Sequence, residues 1–199
     1  MNLAVLVSGG GTNLQALIDA CASGYIPGRI SIVISSSPCA AALERASKAG
    51  IENVTINPGD FRSEEEYSDA ILSKVSASEA DLICLAGFLK KLGGRLLEEY
   101  KGRIINIHPA LLPSHGGKGM YGLRVHKAVI KSGSPESGCT VHYVNEDYDR
   151  GEVIARCRVP VEAGDTPETL AAKVLKEEHR LYPEIVRKFA MGELPRRER

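Results

Sequence analysis

Short apolar runs alternate with helical patterns along the first half of the chain. The runs cover residues 3–7, 30–34, 54–56, 81–88 and 103–105. Continuous runs of this kind are typical of parallel strands that are buried on both faces. Between them, apolar residues recur at helical spacing, as at Leu14, Leu17, Ile18 and Cys21. Strands separated by helices form repeated βαβ units, so the pattern predicts a doubly wound, mostly parallel α/β sheet.

The second half of the chain has a looser pattern. Residues 115–122 hold four glycines and predict a loop. Residues 139–144 and 153–159 read as two strands, and the short segment between them has no room for a crossover helix. This pair is therefore predicted to be antiparallel. Thr166 followed by Pro167 is typical of a helix start, and the apolar stripe beyond them predicts a long C-terminal helix.

The chain length suits one sizeable hydrophobic core. At 199 residues, with no internal repeat and no linker, the sequence predicts a single domain over residues 1–199. Residues 192–199 are expected to form a frayed tail. Met1 leads directly into the first predicted strand, without a basic leader or a long apolar segment. We therefore expect neither a secretion signal nor a membrane anchor.

Charge and cysteine content narrow the classes of partner. Lys and Arg total 25, and Asp and Glu also total 25, so no net field attracts nucleic acid or an acidic membrane. A small-molecule ligand or a protein partner is favoured instead. The 5 cysteines include no Cys-x-x-Cys pair, so neither a disulfide framework nor a zinc site is predicted, and a cytoplasmic location is expected. The sequence leaves the oligomeric state open between monomer and homodimer.

A glycine-rich turn follows the first predicted strand. Gly11, Thr12 and Asn13 lie where the strand gives way to a helix. Free backbone N–H groups and the positive end of a helix dipole meet at such a point, which favours an anion, most readily a phosphate. The alternative is a tight turn that uses glycine for backbone freedom alone. A dinucleotide site is disfavoured because the Gly-x-Gly-x-x-Gly pattern fails at Leu14.

Two polar residues end the predicted strand that begins at residue 103. Asn106 and His108 are two positions apart, so an extended backbone directs both side chains to one face. Pro109 disfavours helical geometry at His108 and keeps the pair extended. An amide donor beside an imidazole suits a developing negative charge. The alternative is a structural histidine with an asparagine that begins a turn.

Two acidic features have both a structural and a functional interpretation. Residues 146–149 include three acids between the two antiparallel strands. They form either a solvated hairpin loop or the source of a carboxylate that orients His108, and spacing does not select the acid. Glu178 lies on an apolar stripe of the last helix, where it is either a boundary residue or the partner of a polar ligand.

Four segments together resemble the 10-formyltetrahydrofolate-dependent formyltransferases. They are residues 8–15, 85–88, 106–113 and 149–151, which read SGGGTNLQ, LAGF, NIHPALLP and DRG. The resemblance extends from Met1 to about Met191. It implies a Rossmann-like formyltransferase fold with an antiparallel strand pair and a long C-terminal helix. It also implies transfer of a formyl group from 10-formyltetrahydrofolate, as co-substrate, to the amine of glycinamide ribonucleotide in purine biosynthesis, without a metal.

The resemblance also implies the roles of particular residues. Asn106, His108 and Asp149 match the family's catalytic residues. Four residues match those that hold the substrate phosphate and ribose, the last of them on the ribose hydroxyls: Gly11, Thr12, Asn13 and Glu178. Ten residues match the segments that line the folate pocket: Phe88, Leu89, Lys90, Lys91, Leu92, Val144, Asn145, Glu146, Asp147 and Tyr148.

Three departures from the family pattern affect the substrate contacts. Extra residues occur at 117–121, so family contacts from this loop do not transfer to this chain. Lys90 replaces an expected arginine, which matters little where the backbone makes the contact. Glu64 stands where a basic residue is expected near the folate glutamate tail, so Lys90, Lys91 or Lys118 is expected to substitute for it.

Two other interpretations of the resemblance stay open at this point. One is another formyl-folate enzyme, either a hydrolase or a formyltransferase for a different amine. An additional C-terminal domain and basic surface are expected of a tRNA formyltransferase, and an N-terminal regulatory domain of a hydrolase. The other interpretation is a non-catalytic folate- or nucleotide-binding module that kept the fold. Its expected mark is a departure at Asn106, His108 or Asp149, and all three are present.

Overall fold

Seven strands pair into one sheet in the computed structural model, which describes residues 1–194. The strands are β1 (Asn2–Val7), β2 (Arg29–Ser35), β3 (Asn53–Thr55), β4 (Leu82–Leu85), β5 (Ile104–His108), β6 (Glu136–Tyr143) and β7 (Val153–Pro160). Their spatial order is β3-β2-β1-β4-β5-β6-β7. The first five strands are parallel, whereas β6 is antiparallel to both β5 and β7. The predicted mostly parallel sheet with a late antiparallel pair is confirmed.

Helices cover both faces of this sheet. They are α1 (Thr12–Ala22), α2 (Ala41–Lys48), α3 (Glu64–Ala77), α4 (Gly94–Glu99), α5 (Leu123–Lys131) and α6 (Pro167–Ala190). One core cluster joins alternate residues of β1 to α1, α2, α5 and α6, and the other joins the remaining β1 residues to α3 and α4. Strand side chains alternate between the faces, so a strand buried on both sides must be apolar throughout. The doubly wound architecture follows.

The long C-terminal helix begins as the sequence predicts. Thr166 accepts a hydrogen bond from the Thr169 N–H at 3.2 Å, and Thr169 Oγ1 accepts one from the Thr166 N–H at 2.9 Å. Two of the free N–H groups at the helix start are therefore satisfied. At the other end, the N–H groups of Gly192 and Glu193 donate back to the carbonyls of Phe189 and Lys188. Residues 195–199 of the expected frayed tail lie outside the described residues.

No helix within residues 1–194 combines the length and the apolar character needed to cross a bilayer. The longest, α6, runs for 24 residues and buries a stripe of side chains against the sheet, α1 and α5. Its remaining surface carries ion pairs, including Arg180 with Glu177 and Lys188 with Glu184. Helix α6 is therefore an amphipathic element that covers one face of the sheet.

Tyr182 joins α6 to the centre of the sheet. Its side chain is fully buried, and its hydroxyl lies 3.0 Å from the Leu85 carbonyl and 3.2 Å from the Ile105 carbonyl. These carbonyls belong to β4 and β5, the strands whose ends lead to residues 86–88 and to His108. Because a buried hydroxyl needs a partner, this contact fixes where α6 lies relative to the strand ends.

Replacement of this hydroxyl tests that link. We expect Tyr182→Phe to lower the free energy of unfolding by about 1 kcal/mol, because it removes a buried hydrogen bond between α6 and the sheet. Urea denaturation followed by circular dichroism measures the change. Tyr25→Phe is the matched control, since Tyr25 is 45% exposed. Equal stability of the two variants would contradict the proposed link.

Candidate active site

A cavity of about 620 Å³ opens where the parallel strands end. Ligands bind at this edge in open α/β sheets because the helix N-termini and the loops converge there. The cavity brings together residues that are distant in the sequence, which include Thr12, Asn13, Phe88, Leu89, Asn106, His108, Tyr148, Asp149 and Glu178. The candidate site residues for catalysis, phosphate and ribose, apart from Gly11, therefore share one cleft.

A smaller hollow of about 60 Å³ adjoins this cleft. It shares Phe88, Asn106, Tyr148 and Asp149 with the larger cavity. The other predicted folate-pocket residues apart from Leu89 line it: Lys90, Lys91, Leu92, Val144, Asn145, Glu146 and Asp147. Residues 88–92 follow β4 and residues 144–148 follow β6. These two strands lie on either side of β5, and the segments that follow them meet in this hollow.

Asn106 and His108 project from the end of β5 into the cleft. The intervening Ile107 points into the core on the opposite face, together with Ile105. The side chain of His108 is only 3% exposed. The predicted placement of both side chains on one face is confirmed, and it follows from the two-residue period of a strand.

The imidazole of His108 faces an oxygen acceptor on each side. Its Nδ1 lies 3.5 Å from Asp149 Oδ2, and its Nε2 lies 2.9 Å from the carbonyl oxygen of His115. A neutral imidazole has one N–H, whereas an imidazolium can donate to both acceptors. Burial nevertheless lowers the pKa of His108, and Asp149 and the His115 carbonyl oppose that effect. The ring is therefore neutral in the empty cleft, in surroundings arranged to accept a proton.

Asp149 is the acid that meets His108, and the spacing argument could not select it. Its side chain is 12% exposed, and its backbone has a φ of 55°. The Gly117 N–H donates to Oδ2 at 2.8 Å. Burial alone would raise the pKa of Asp149, but His142, His108 and this N–H together lower it. The carboxylate is therefore ionised at neutral pH.

His142, which lines the adjoining hollow, is a residue that the sequence analysis missed. Its Nδ1–H donates to the carbonyl of Tyr143 at 2.8 Å, and its Nε2 faces Asn106 and Asp149. The Asn106 amide lies 3.1 Å from that Nε2, and Asp149 Oδ1 lies 3.6 Å from it. His142 therefore contacts two of the three predicted catalytic residues. The available signal was strand register, because β5 and β6 pair Asn106 directly with His142.

Asn13, which follows the glycine turn, and Glu178 line the same cleft. Gly11 caps α1 with a φ of 71°, and an added Cβ would lie 2.6 Å from the Ala42 Cβ. Only glycine combines that backbone with such close packing. The Asn13 Nδ2 donates to Glu178 Oε2 at 2.6 Å. Glu178 is 6% exposed and lines the cleft, so its interpretation as a boundary residue is wrong.

Charged side chains at the mouth of the cleft differ in their placement. Lys118 lines the larger cavity, whereas Lys90 and Lys91 line the adjoining hollow. The phenol of Tyr148 is partly buried, which raises its pKa, and the negative charge of Glu64 raises that pKa further. Glu64 therefore places a negative charge close to Tyr148, at the mouth of the cleft.

The described part of the chain holds no arrangement typical of a metal centre. Among residues 1–194, no group of three or more His, Cys, Asp or Glu side chains is placed to hold a metal ion. Each of the five cysteines is a free thiol. Burial raises the pKa of both Cys84 and Cys139 well above the usual range of a thiol, so neither is an activated nucleophile.

The fold and the cleft define a class of protein before any comparison is made. A doubly wound sheet carries a glycine turn suited to an anion at one end of the cleft. An amide, an imidazole and an ionised carboxylate lie together at the strand ends. This is an α/β protein whose cleft combines hydrogen-bond donors and an ionised carboxylate with a turn suited to an anion.

Comparison with known proteins identifies the family. The family model described as Formyl transferase matches residues 1–186, and the chain belongs to this family. The Phosphoribosylglycinamide formyltransferase of Escherichia coli (strain K12) is 40% identical over 98% of this chain and 89% of its own length. The chloroplastic Phosphoribosylglycinamide formyltransferase of Arabidopsis thaliana is 43% identical over 92% of this chain, which spans 63% of that protein.

A solved structure agrees with these relatives. The crystal structure of glycinamide ribonucleotide transformylase 1 from Symbiobacterium toebii superposes with a TM-score of 0.92 at 42% sequence identity. The match covers 98% of this chain and 90% of that one. The predicted family and the Rossmann-like formyltransferase fold are confirmed.

Removal of the Asp149 charge tests the electrostatics of the cleft. We expect Asp149→Asn to lower the pKa of His108 further, because the neighbouring carboxylate opposes the effect of burial. NMR titration of the His108 ring measures the change. Asp147→Asn is a matched control, since Asp147 is an exposed acid of the same loop. An unchanged His108 pKa in Asp149→Asn would contradict the electrostatic assignment.

Proposed function

We propose that this chain transfers the formyl group of 10-formyltetrahydrofolate to the amine of glycinamide ribonucleotide. The observation that carries the proposal is the convergence of Asn106, His108 and Asp149 in a cleft that Asn13 and Glu178 also line. The first three residues suit acyl transfer, and the turn with the carboxyl suits a ribose phosphate. The bacterial and plant relatives are named phosphoribosylglycinamide formyltransferases, which supports the proposed acceptor.

Asn106 and His108 are the proposed stabilisers of the tetrahedral intermediate. The amine attacks the formyl carbon, and the formyl oxygen becomes negative as the new C–N bond forms. Asn106 uses one amide hydrogen toward His142, so its second hydrogen is free to donate to that oxygen. His108 adds a positive charge when it is protonated. Donors fixed before the reaction stabilise such a charge without reorganisation.

Asp149 is the proposed route for the proton. The attacking amine must lose a proton, and the departing N10 of the folate must gain one. An ionised carboxylate beside His108 can accept the first proton and return it, directly or through one water. The same carboxylate stabilises the imidazolium form of His108 and holds the ring in place. No covalent intermediate with the protein is needed.

The remaining proposed contacts divide between the two ends of the cleft. The backbone of Gly11, Thr12 and Asn13 holds the substrate phosphate, and Glu178 holds the ribose hydroxyls. Residues 88–92 and 144–148 hold the folate, largely through backbone groups. Lys90, Lys91 or Lys118 holds the glutamate tail in place of the basic residue that Glu64 replaces.

We also propose the cellular setting of the activity. Residues 1–199 act as one domain, in the cytoplasm, as a monomer or homodimer. The partners are the two small-molecule substrates and no nucleic acid. Equal numbers of acidic and basic residues and five free cysteines support this setting.

A direct assay tests the proposal. Purified protein is mixed with 10-formyltetrahydrofolate and glycinamide ribonucleotide, and the absorbance change on formation of tetrahydrofolate is followed. We expect turnover only when both substrates are present. Release of tetrahydrofolate without the ribonucleotide would indicate a hydrolase, and binding without turnover would indicate a non-catalytic module.

Substitutions in the pair on β5 test the roles. We expect Asn106→Ala and His108→Ala each to lower kcat by about a hundredfold or more, because an oxyanion donor acts mainly in the transition state. The KM values for both substrates should change much less. Steady-state kinetics supplies both constants. Asn53→Ala is the control. Asn53 lies at the start of β3, away from the carboxyl ends of the strands, and its amide donates to Ser47 and to the Ile51 carbonyl. Near-wild-type turnover in either cleft variant would overturn the assignment.

A further inference from the structure

Asn13 and Glu178 form a buried, hydrogen-bonded pair in which one side-chain oxygen has no hydrogen-bond partner. The Asn13 Nδ2 donates to Glu178 Oε2 at 2.6 Å, while Asn13 Oδ1 is buried without a hydrogen-bond partner. Asn13 is 8% exposed and Glu178 is 6% exposed. No lysine, arginine or histidine forms an ion pair with Glu178 within residues 1–194. A carboxylate in this position lacks the cation that normally accompanies a buried negative charge.

A proton on Glu178 resolves both features. The protonated carboxyl carries an O–H donor, which is what the unpartnered Asn13 Oδ1 requires. A planar carboxylic acid and a planar carboxamide can then exchange two hydrogen bonds. The neutral form also avoids the penalty of a buried charge without a positive partner. The geometry of the empty cleft therefore favours the neutral acid.

A bound ribose instead favours the ionised form of Glu178. Its two adjacent hydroxyl groups are donors, and a carboxylate offers acceptor sites on both oxygens, whereas a carboxylic acid uses one oxygen as a donor. Hydrogen bonds to a charged acceptor are also stronger than those to a neutral one. The occupied cleft therefore favours the carboxylate, with the Asn13 amide still donating to it.

We infer that binding of glycinamide ribonucleotide expels a proton from the Asn13–Glu178 pair, which is an acid and an amide in the empty cleft and a carboxylate and an amide in the occupied one. The inference rests on the proposed function, because the diol belongs to that substrate. Asn13 is the positioning residue, since its side chain holds Glu178 in either protonation state. The proton goes to solvent, so nothing is oxidised or reduced.

The protonation equilibrium of Glu178 falls in the physiological range. Burial raises the pKa of Glu178 to about 7, and the hydrogen bond from Asn13 opposes part of that rise. A group with this raised pKa is neutral in the empty protein below pH 7 and becomes charged as the pH rises through 7. Ribonucleotide binding should therefore strengthen as the pH rises through this range.

The other titratable and charged groups around Glu178 behave differently. Helices α1 and α5 and strands β6 and β7 pack against α6. The groups on these four elements and on α6 beside Glu178 are Asp19, Cys21, Arg124, His126, Lys127, Lys131, Glu136, Cys139, His142, Tyr143, Arg156, Cys157, Arg158, Lys176, Glu177, His179 and Arg180. Burial lowers the pKa of His126 and of His179, so both are neutral at pH 7. Burial raises the pKa of Cys139, and the negative charge of Glu178 raises it further, so that thiol stays protonated.

The pH dependence of substrate binding tests the inference. The KM for glycinamide ribonucleotide is measured from pH 5.5 to 8.5 for the wild type, Glu178→Gln and Glu177→Gln. Only the wild type loses a carboxylate as the pH is lowered, so its KM should rise. The ratio of the Glu178→Gln KM to the wild-type KM should therefore fall by about tenfold for each pH unit that the pH is lowered, well below pH 7. The substrate phosphate has a pKa of about 6. Its titration affects the KM of both proteins equally, so its effect cancels in this ratio.

The adjacent acid supplies the matched control. Glu177 accepts hydrogen bonds from Cys157 and Arg180 on the outer side of α6. Glu177→Gln should therefore keep the wild-type profile of KM against pH. The KM for 10-formyltetrahydrofolate should keep one profile in all three proteins. A KM ratio for Glu178→Gln that does not vary with pH would overturn the inference while leaving the proposed function intact.

Two further measurements do not depend on the folding of Glu178→Gln. Asn13→Asp places a second carboxyl against Glu178, and two such groups resist joint ionisation, so the midpoint of the KM profile should move to higher pH. Calorimetric titration of the wild type with glycinamide ribonucleotide, in buffers of different ionisation enthalpy, should show release of about half a proton near pH 7 and none near pH 9. Equal proton release at both pH values, or an unmoved midpoint, would contradict the inference. Absence of formyl transfer by the wild type at every pH would instead refute the proposed function.

Discussion

The buried carboxylate of Asp149 is the interaction on which the cleft depends. It meets His108 of β5, His142 of β6 and the backbone N–H of Gly117 in the glycine loop. Three parts of the chain that are distant in sequence are thereby joined at one charge. Because these contacts hold the carboxylate ionised despite its burial, they also create the field that a protonated His108 requires. The orientation of the imidazole and the position of the loop are consequences of the same contacts.

Much of the fold is predictable because its causes are local. Continuous apolar runs identify strands buried on both faces, and the Thr166–Pro167 start identifies the last helix. Alternation along β5 places Asn106 and His108 on one face, since a strand has a period of two residues. The turn at Gly11 is likewise a local requirement, because the backbone there is left-handed. In each case the residues that carry the signal are neighbours in the sequence.

The family resemblance named Asp149 and Glu178, but the features of the cleft that spacing alone could not settle depend on distant contacts. Spacing offered three acids in residues 146–149, and only the folded turn selects Asp149. His142 meets Asn106 through antiparallel register, which is set by strand pairing rather than by a motif. The burial of Glu178 against Asn13 depends on how α6 packs on α1, across 165 positions of sequence. A single helical stripe cannot distinguish such a residue from one at the rim of the packing.

The central claim is that formyl transfer takes place where β5 ends, with the formyl oxygen held by Asn106 and His108. A crystal structure of the protein with glycinamide ribonucleotide and a stable analogue of the formyl-folate tests this claim most directly. The account predicts the analogue's carbonyl oxygen within hydrogen-bond distance of both side chains, the ribose on Glu178 and the phosphate on the turn at Gly11. A carbonyl bound elsewhere in the cleft, with Asn106 and His108 unchanged and uncontacted, would contradict it.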